Sequence, residues 1–322
     1  MNIEKISHNE DIFDLHTARE VVRRLLFIEN DLLGAQAFLR QAYENIRQSL
    51  KQEKWSVEVR KTYENAIKFF RVWANQMPEL KSKFGIEAVD NLKKELKDNQ
   101  NSLKLEMEGK IIDTAGAEVR HAYDILLIEY PDLHNLNIKS KTVQENDVLS
   151  STGGYFEDPN TFDNEISIVI VTDNVGIKHY EEILKKRKAS VEQAAEMLNI
   201  APEQMTPKLL RLFIFLHEFG HAHDYIINYA KKENGPTLWN ERKAKQTASL
   251  PIPILVPPAL RLKIEQNQIE DLPLEAQELI KKGGAEEVLH RQDLAYRNLP
   301  KERYADQFAV DFIARHNILA QM

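Results

Sequence analysis

Cysteine is absent from this chain of 322 residues. Without a thiol the protein has no disulfide, no thiolate metal ligand and no cysteine nucleophile. The absence of cysteine fits the reducing cytoplasm, where disulfides are rare, and we expect this protein to be cytoplasmic. Delivery into a host cell as an effector remains an alternative, because unconventional export leaves no mark on cysteine content.

Long apolar runs and an excess of basic residues are also missing. No apolar run approaches the ~20 residues that span a bilayer, and the polar residues 1–11 do not resemble a signal peptide. We therefore expect no membrane partner. The formal net charge of −7 argues against a broad surface for nucleic acid.

A metal-binding pattern is present at residues 217–221, which read His-Glu-Phe-Gly-His. His217 and His221 are four residues apart, so on a helix they project from one face and can hold one Zn²⁺. Glu218 lies beside them and is the candidate general base that accepts a proton from water. The pattern predicts a hydrolytic zinc site.

The residues before this motif predict a buried helix. Thr206 is a favourable N-cap and Pro207 suits the first helical position. The run from Leu209 to Leu216 is apolar except for Arg211. Histidine and glutamate in such a helix are costly to bury unless they are paired or bind a metal. The alternative is a pair of hydrogen-bonded core histidines beside an unrelated glutamate.

The best candidate for the third zinc ligand lies far downstream, in residues 299–313. Pro300 can open a helix there, and Glu302 and Asp306 then share one face at i and i+4. Glu302 is the predicted third ligand. Asp306 is predicted to accept the outward N–H of a ligand histidine, which fixes the tautomer of that histidine. The alternative is an exposed acidic stripe.

The two motifs together resemble the Glu-zincin metallopeptidases, with H-E-x-x-H followed by E-x-x-A-[D/E]-x-F-A. Residues 153–159 and the strand at 165–171 are similar to the hairpin and strand before the histidine helix of ImmA/IrrE-type peptidases. Residues 217–224 are similar to the catalytic domains of the anthrax-lethal-factor type. The resemblance implies a zinc peptidase with a protein or peptide substrate, and it implies that Tyr296 stabilises the oxyanion.

Residues 1–110 carry helical patterns and nothing that indicates chemistry. Thr17–Glu20 reads as a capping box, and an apolar seam predicts one long helix after it. Further helices are expected at 56–76 and 86–107. We expect a helical bundle that recruits substrate or mediates oligomerisation, either as a monomer or as a homodimer through the seam. The seam consists of Val21, Leu25, Ile28, Leu32, Ala35, Leu39, Ala42 and Ile46.

Residues 111–322 predict a zincin-like domain with an active-site helix and a small mixed sheet. A helix is expected from Thr114 towards Glu129, followed by strands at 137–139, 148–156 and 166–171. In a zincin the last of these strands lines the cleft, where an extended substrate can add as a further strand. The fold class is therefore mostly α, of the α+β type, with a helical bundle before the catalytic domain.

A long insert is expected at about residues 231–298. Its segment 250–260 alternates prolines with aliphatic residues, which predicts an extended polyproline-like strand. This segment either packs across the domain surface, covers the cleft as a lid, or is cleaved by the protein itself. The basic run Lys185–Lys188 is interpreted as a solvated helix end.

These observations lead to one main hypothesis and two alternatives. The main one is a zinc-dependent endopeptidase with Glu218 as general base. The first alternative is a non-catalytic scaffold or binding protein that a metal stabilises. The second is a DNA-associated regulator, because residues 190–205 resemble half of a helix-turn-helix, although that segment is acidic.

Overall fold

The computed structural model describes residues 15–76, 78–141, 152–159, 166–171, 176–252 and 255–321. The chain divides into two compact units, Met1–Lys110 and Ile111–Met322. This boundary is the one drawn above from the sequence. Across the described ranges, no helix is both long enough and apolar enough to cross a membrane.

The first unit is built from helices around one apolar core. Its core includes Tyr63, Phe69, Phe70 and Trp73, all of which are almost fully buried. The helices are α1 (Leu15–Arg23), a π-helical turn (Arg24–Glu29), α2 (Leu32–Gln52), α3 (Val57–Asn75), α4 (Pro78–Phe84) and α5 (Ile86–Ala115).

The prediction of one long N-terminal helix was wrong. The chain breaks at Asn30, which adopts a left-handed conformation with φ of 56°, and Asp31 then caps α2 by accepting the Gly34 N–H at 2.8 Å. The π-helical turn before this break departs from the regular helical period, and Val22 is buried while Ile28 is 73% exposed. The helix also begins ahead of the predicted capping box.

The α2 half of the predicted seam is buried as expected. Ala35, Leu39, Ala42 and Ile46 are all at most 3% exposed. They pack within the core of their own unit. The α2 part of the seam therefore packs inside its own unit. A partner could contact only apolar side chains that are exposed elsewhere.

The second unit combines helices with a three-stranded mixed sheet, which confirms the predicted fold class. The strands are β1 (Asn137–Lys141), β2 (Gly154–Glu157) and β3 (Ser167–Val171), in the order β1-β3-β2. The helices are α6 (Ala117–Glu129), α7 (Ile177–Lys186), α8 (Lys188–Met197), α9 (Pro207–Asn228), α10 (Gly235–Thr247), α11 (Pro257–Glu265), α12 (Leu274–Arg297) and α13 (Pro300–Arg315).

The sheet corrects the expectation about which strand lines the cleft. β3 is the central strand, parallel to β1 and antiparallel to β2, and it is buried along its whole length. The strand at the cleft is β2, at the sheet edge. Within the predicted strand at 148–156, the structure has β2 beginning at Gly154, and residues 148–151 lie outside the described ranges.

A second correction concerns the helix expected from Thr114. Thr114 belongs to the end of α5, and α6 starts after Gly116. Gly116 has φ of 118°, a conformation that side-chain-bearing residues rarely adopt. Gly116 therefore separates α5 from α6, and the second of these helices starts three residues later than the sequence pattern predicted.

The insert forms a small helical layer with its own core. Ile252 and Leu255 pack against α11 and α12, and Gln292 Nε2 donates to the carbonyls of both residues, at 3.2 and 2.8 Å. The expectation of an extended segment through residue 260 was wrong. Pro257 and Pro258 instead open α11, because proline needs no N–H donor in a first helical turn.

Candidate metal centre

Two helices distant in sequence carry the candidate ligands. α9 begins as predicted, with the Thr206 hydroxyl accepting the Leu209 N–H at 3.2 Å and Pro207 in the first turn. α13 begins with Pro300 in its first turn. His217 and His221 lie on α9, and Glu302 lies on α13.

A glycine lets the two helices approach closely at the site. A Cβ added to Gly220 would lie 2.7 Å from Ala305 Cα, far inside van der Waals contact. Gly220 is the fourth residue of the histidine motif, and Ala305 follows Glu302 by one helical turn. The small residues at this crossing therefore bring the side chains of both motifs within bonding distance.

Three candidate ligand atoms form a compact triangle. His217 Nε2 lies 3.1 Å from His221 Nε2 and 3.1 Å from Glu302 Oε2, and His221 Nε2 lies 3.4 Å from Glu302 Oε2. Glu218 contributes an atom to the same neighbourhood, within 4.8 Å of both histidines.

The triangle has the size that tetrahedral Zn²⁺ requires. Ligands at about 2.0–2.1 Å from zinc in a tetrahedron are separated from one another by about 3.3 Å. The observed separations of 3.1 to 3.4 Å agree with this spacing. Two imidazole nitrogens and one carboxylate oxygen are also a donor set typical of catalytic zinc.

Asp306 orients the first histidine as the sequence predicts. His217 Nδ1 donates to Asp306 Oδ1 at 2.8 Å, and the Asp306 carboxylate is completely buried. Arg297 forms an ion pair with the same carboxylate oxygen. A neutral His217 that donates through Nδ1 keeps the Nε2 lone pair for a metal.

When His217 is neutral and donates through Nδ1 to Asp306, its Nε2 and the Glu302 carboxylate oxygen 3.1 Å away are both acceptors, which favours a cation between them. When no metal is present, a proton can take that place. Burial disfavours charge on His217, but the Asp306 carboxylate outweighs it and raises the pKa of His217 to about 9. His221 Nδ1 is buried and has no hydrogen-bond partner among the described residues.

Glu302 is held in its ionised form. Burial alone would raise the pKa of its carboxyl, but His221, His217 and the ammonium of Lys301 together hold that pKa well below the usual range. Lys301 Nζ lies 3.2 Å from Glu302 Oε1. A permanent carboxylate between two imidazoles is ready to bind a divalent cation.

Glu218 faces the cleft beside the triangle. Its Oε2 accepts the backbone N–H of Phe156 at 2.7 Å, so the edge strand β2 positions the carboxylate. The cleft has a volume of about 660 Å³ and is lined by β2, α9, α13 and the insert. His217, His221, Glu302 and Glu218 all line it, so the triangle has an accessible side.

Tyr296 also lines this cleft, at the end of α12. Burial raises the pKa of its phenol well above the usual value, and the charge and hydrogen bond of Glu302 raise it further. The phenol therefore remains protonated and able to donate. The structure places Tyr296 in the same cleft as the candidate ligands. Its role at an oxyanion stays a prediction.

Two further polar residues of α9 lie away from the triangle. His223 bonds through Nδ1 to the Tyr304 hydroxyl at 2.9 Å. Asp224 accepts from Arg242 at 2.7 Å and from Asn228 at 2.7 Å, which ties α9 to α10. Asp224 therefore has a structural role.

Three contributors to the site were missed in the sequence. Arg297 reaches Asp306 across the break between α12 and α13, where no helical periodicity connects them. Lys301 is adjacent to Glu302, and neighbouring residues on a helix are not expected to meet. The Phe156 contact to Glu218 uses a backbone N–H, which leaves no residue-type signal.

Comparisons with protein-family models, with curated proteins and with solved structures yield no match for this chain.

Proposed function

We propose that the unit at 111–322 is a zinc-dependent peptidase that hydrolyses a peptide bond in a protein substrate. The observation that carries the proposal is the triangle of His217 Nε2, His221 Nε2 and Glu302 Oε2, with the Glu218 carboxylate beside it in an open cleft. A buried glutamate next to two imidazoles is costly unless the group has a cation to bind.

Each residue has a distinct task in this proposal. His217, His221 and Glu302 would hold the zinc ion, and Asp306 keeps His217 in the required tautomer. Zinc, when bound, supplies the Lewis acidity that polarises the scissile carbonyl. Glu218 takes a proton from the attacking water and returns it to the leaving amine. Tyr296 donates a hydrogen bond from its phenol to the carbonyl oxygen that develops negative charge.

The edge strand offers a way to align the substrate. Phe156 directs its N–H to Glu218 and away from β3, so the Phe156 carbonyl and the backbone groups of Gly154 lie on the side of β2 that faces away from β3. An extended peptide can add here as a fourth strand, and its main chain is recognised with little demand on sequence. The peptide then lies directly beside Glu218.

The helical unit at 1–110 is assigned to substrate recruitment in this proposal. It carries no grouping of catalytic residues in its described part, whereas the peptidase cleft recognises mainly backbone. Selection of one protein target then requires a second contact surface. A DNA-reading role is disfavoured, because α9, the helix that follows residues 190–205, is buried along most of its length and cannot enter a groove.

The decisive experiment combines metal content with peptidase activity. We expect about one zinc per wild-type chain, and loss of zinc in both His217→Ala and Glu302→Ala. His223→Ala is the matched control, because this histidine lies on the same helix and bonds Tyr304 instead. An absence of zinc in reconstituted wild type would contradict the proposal.

Glu218→Gln separates catalysis from metal binding. We expect this variant to keep its zinc and to lose about 10²–10⁴ in kcat, the usual contribution of a general base. Glu157→Gln is the control, since Glu157 also lines the cleft. A zinc-loaded Glu218→Gln variant as active as wild type would refute the base assignment, and a zinc-loaded wild type without activity would favour the scaffold alternative.

A further inference from the structure

The basic run Lys185–Lys188 does not behave as a uniform solvated helix end. Its three lysines are exposed, but Arg187 sits at the junction of α7 and α8 with its side chain only 11% exposed. Arg187 also lines the cleft that contains Glu218. One cation of the run is therefore directed to the candidate active site.

Behind Arg187, two guanidinium groups share one carboxylate. Asp293 accepts from Arg187 Nη2 at 3.0 Å and Nε at 3.2 Å, and from Arg261 Nη2 at 3.5 Å. Asp293 and Arg261 are both buried. Burial lowers the pKa of Arg261, Asp293 opposes this, and the charge of Arg187 adds to the lowering. The group of Arg187, Asp293 and Arg261 thus carries one net positive charge.

The surroundings of Arg187 strengthen its field in the cleft. Ser190 Oγ lies 3.3 Å from Arg187 Nη2 and lines the same wall. The neighbouring cleft wall is otherwise apolar, formed by Ile183, Val191, Ala194 and Phe213. Apolar walls screen charge less than water does, so a guanidinium there attracts an anion more strongly than one at an open surface.

We propose that Arg187 and Ser190 form a subsite for a substrate carboxylate close to the scissile bond. This inference rests on the proposed peptidase function and names its substrate class, which is a peptide with an acidic group beside the cleaved bond. The apolar wall accommodates the methylene stem of such a residue, and the guanidinium and hydroxyl bind its oxygens. The carboxylate belongs either to an Asp or Glu side chain or to a chain terminus.

The first test varies the substrate and leaves the protein unchanged. Zinc-loaded wild type is incubated with a synthetic peptide mixture in which Glu, Gln and Lys alternate at each position, and products are identified by mass spectrometry. We expect cleavage next to Glu to exceed cleavage next to Gln by about tenfold to a hundredfold, the usual range for a charged hydrogen bond. Equal cleavage of all three would overturn the subsite.

Peptides with free and with amidated C-termini distinguish the two sources of the carboxylate. If a chain terminus occupies the subsite, amidation abolishes the preference. If an internal side chain occupies it, amidation has no effect and the Glu preference persists. Both results support an anion subsite, and a peptidase indifferent to both changes contradicts it.

Arg187→Met tests the residue itself. Asp293 keeps Arg261 as a partner in this variant, so we expect folding to survive and the Glu-over-Gln ratio to fall close to one. Lys188→Met is the matched control, because it removes an equal charge from an exposed neighbour. A ratio that persists in Arg187→Met, or falls equally in Lys188→Met, would assign the preference to the general field of the protein.

A binding measurement keeps the subsite testable if no peptide is cleaved. Fluorescently labelled Glu and Gln peptides are titrated into Glu218→Gln protein, with and without the Arg187→Met change. Tighter binding of the Glu peptide that depends on Arg187 supports the subsite even where the peptidase proposal has failed. Equal binding of both peptides removes the subsite, whatever the activity of the wild type.

Discussion

Two buried clusters of charged side chains in the second unit differ in how their hydrogen-bond donors and acceptors are matched. The guanidinium cluster joins Arg187, Asp293 and Arg261, and the histidine cluster joins His217, His221 and Glu302. Each links helices that are far apart in sequence. In the guanidinium cluster both carboxylate oxygens of Asp293 receive N–H donors from arginine. In the histidine cluster the facing atoms of His217 and Glu302 are both acceptors when His217 is neutral.

This difference separates the proposed cation site from the proposed anion site. Polar groups that are buried for stability are expected to satisfy one another. The guanidinium cluster meets this expectation at the Asp293 carboxylate, but it keeps one positive charge in excess, and Arg261 Nε has no partner among the described residues. The histidine cluster has an excess of acceptors when His217 is neutral. The sign of the excess indicates which kind of ligand each cluster can take.

The largest expected effect on stability is in the guanidinium cluster. Asp293→Ala leaves two guanidinium groups buried without their carboxylate, and we expect the free energy of unfolding to fall by about 3–5 kcal/mol. Urea unfolding measures this loss, with Glu286→Ala as the control because Glu286 is an exposed acid on the same helix. Zinc should not change the difference in free energy of unfolding between the two variants. Equal stability of the two variants would show that the cluster contributes little.

Zinc should have a comparable effect that is confined to the histidine cluster. At free zinc about a thousandfold above its dissociation constant, we expect a gain of about 4 kcal/mol, since only the folded protein binds the ion at this site. A chelator should reverse the gain, which thermal melting can follow. Glu302→Ala should abolish the response and Glu286→Ala should retain it. A zinc response that survives in Glu302→Ala would place the ion elsewhere.

The sequence predicted which side chains meet in the histidine cluster better than it predicted the fold around them. His217, His221, Glu302 and Asp306 follow from helical spacing, because residues four apart share one face whatever the tertiary structure. The break at Asn30 and the start of α6 after Gly116 depend on backbone conformations that periodicity does not report. Asp293 and Arg261 meet across 32 residues, and only the packing of the insert brings them together.

A smaller effect is expected at the residue that orients His217. Asp306→Asn retains the shape of the side chain but removes its charge, and we expect zinc affinity to fall about 10–100-fold, as is common for residues that support a ligand histidine. Competition with a chromophoric chelator measures the change. Asp311→Asn on the same helix is the control, because Asp311 is exposed and bonds Gln307. Equal affinities in both variants would contradict the orienting role.

The smallest expected effect is a pH dependence whose sign reverses with metal. In the metal-free protein the pKa of His217 is raised from 6.5 to about 9, mainly by Asp306 acting against burial. The folded state then favours the charged imidazole, so this stabilisation is complete below the unfolded pKa of 6.5 and is lost as the pH rises through about 9. The slope of stability against pH is at most about 1.4 kcal/mol per pH unit.

Zinc binding requires His217 Nε2 without a proton, so the ion competes with the charge that stabilises the metal-free site. We expect zinc affinity to increase over the same pH range in which the metal-free protein loses stability. Urea unfolding in chelator and in zinc, measured from about pH 6.5 to about pH 9, tests both directions. His217→Ala should flatten both curves, whereas His223→Ala should preserve them. Parallel curves in chelator and in zinc would show that proton and metal do not share the site.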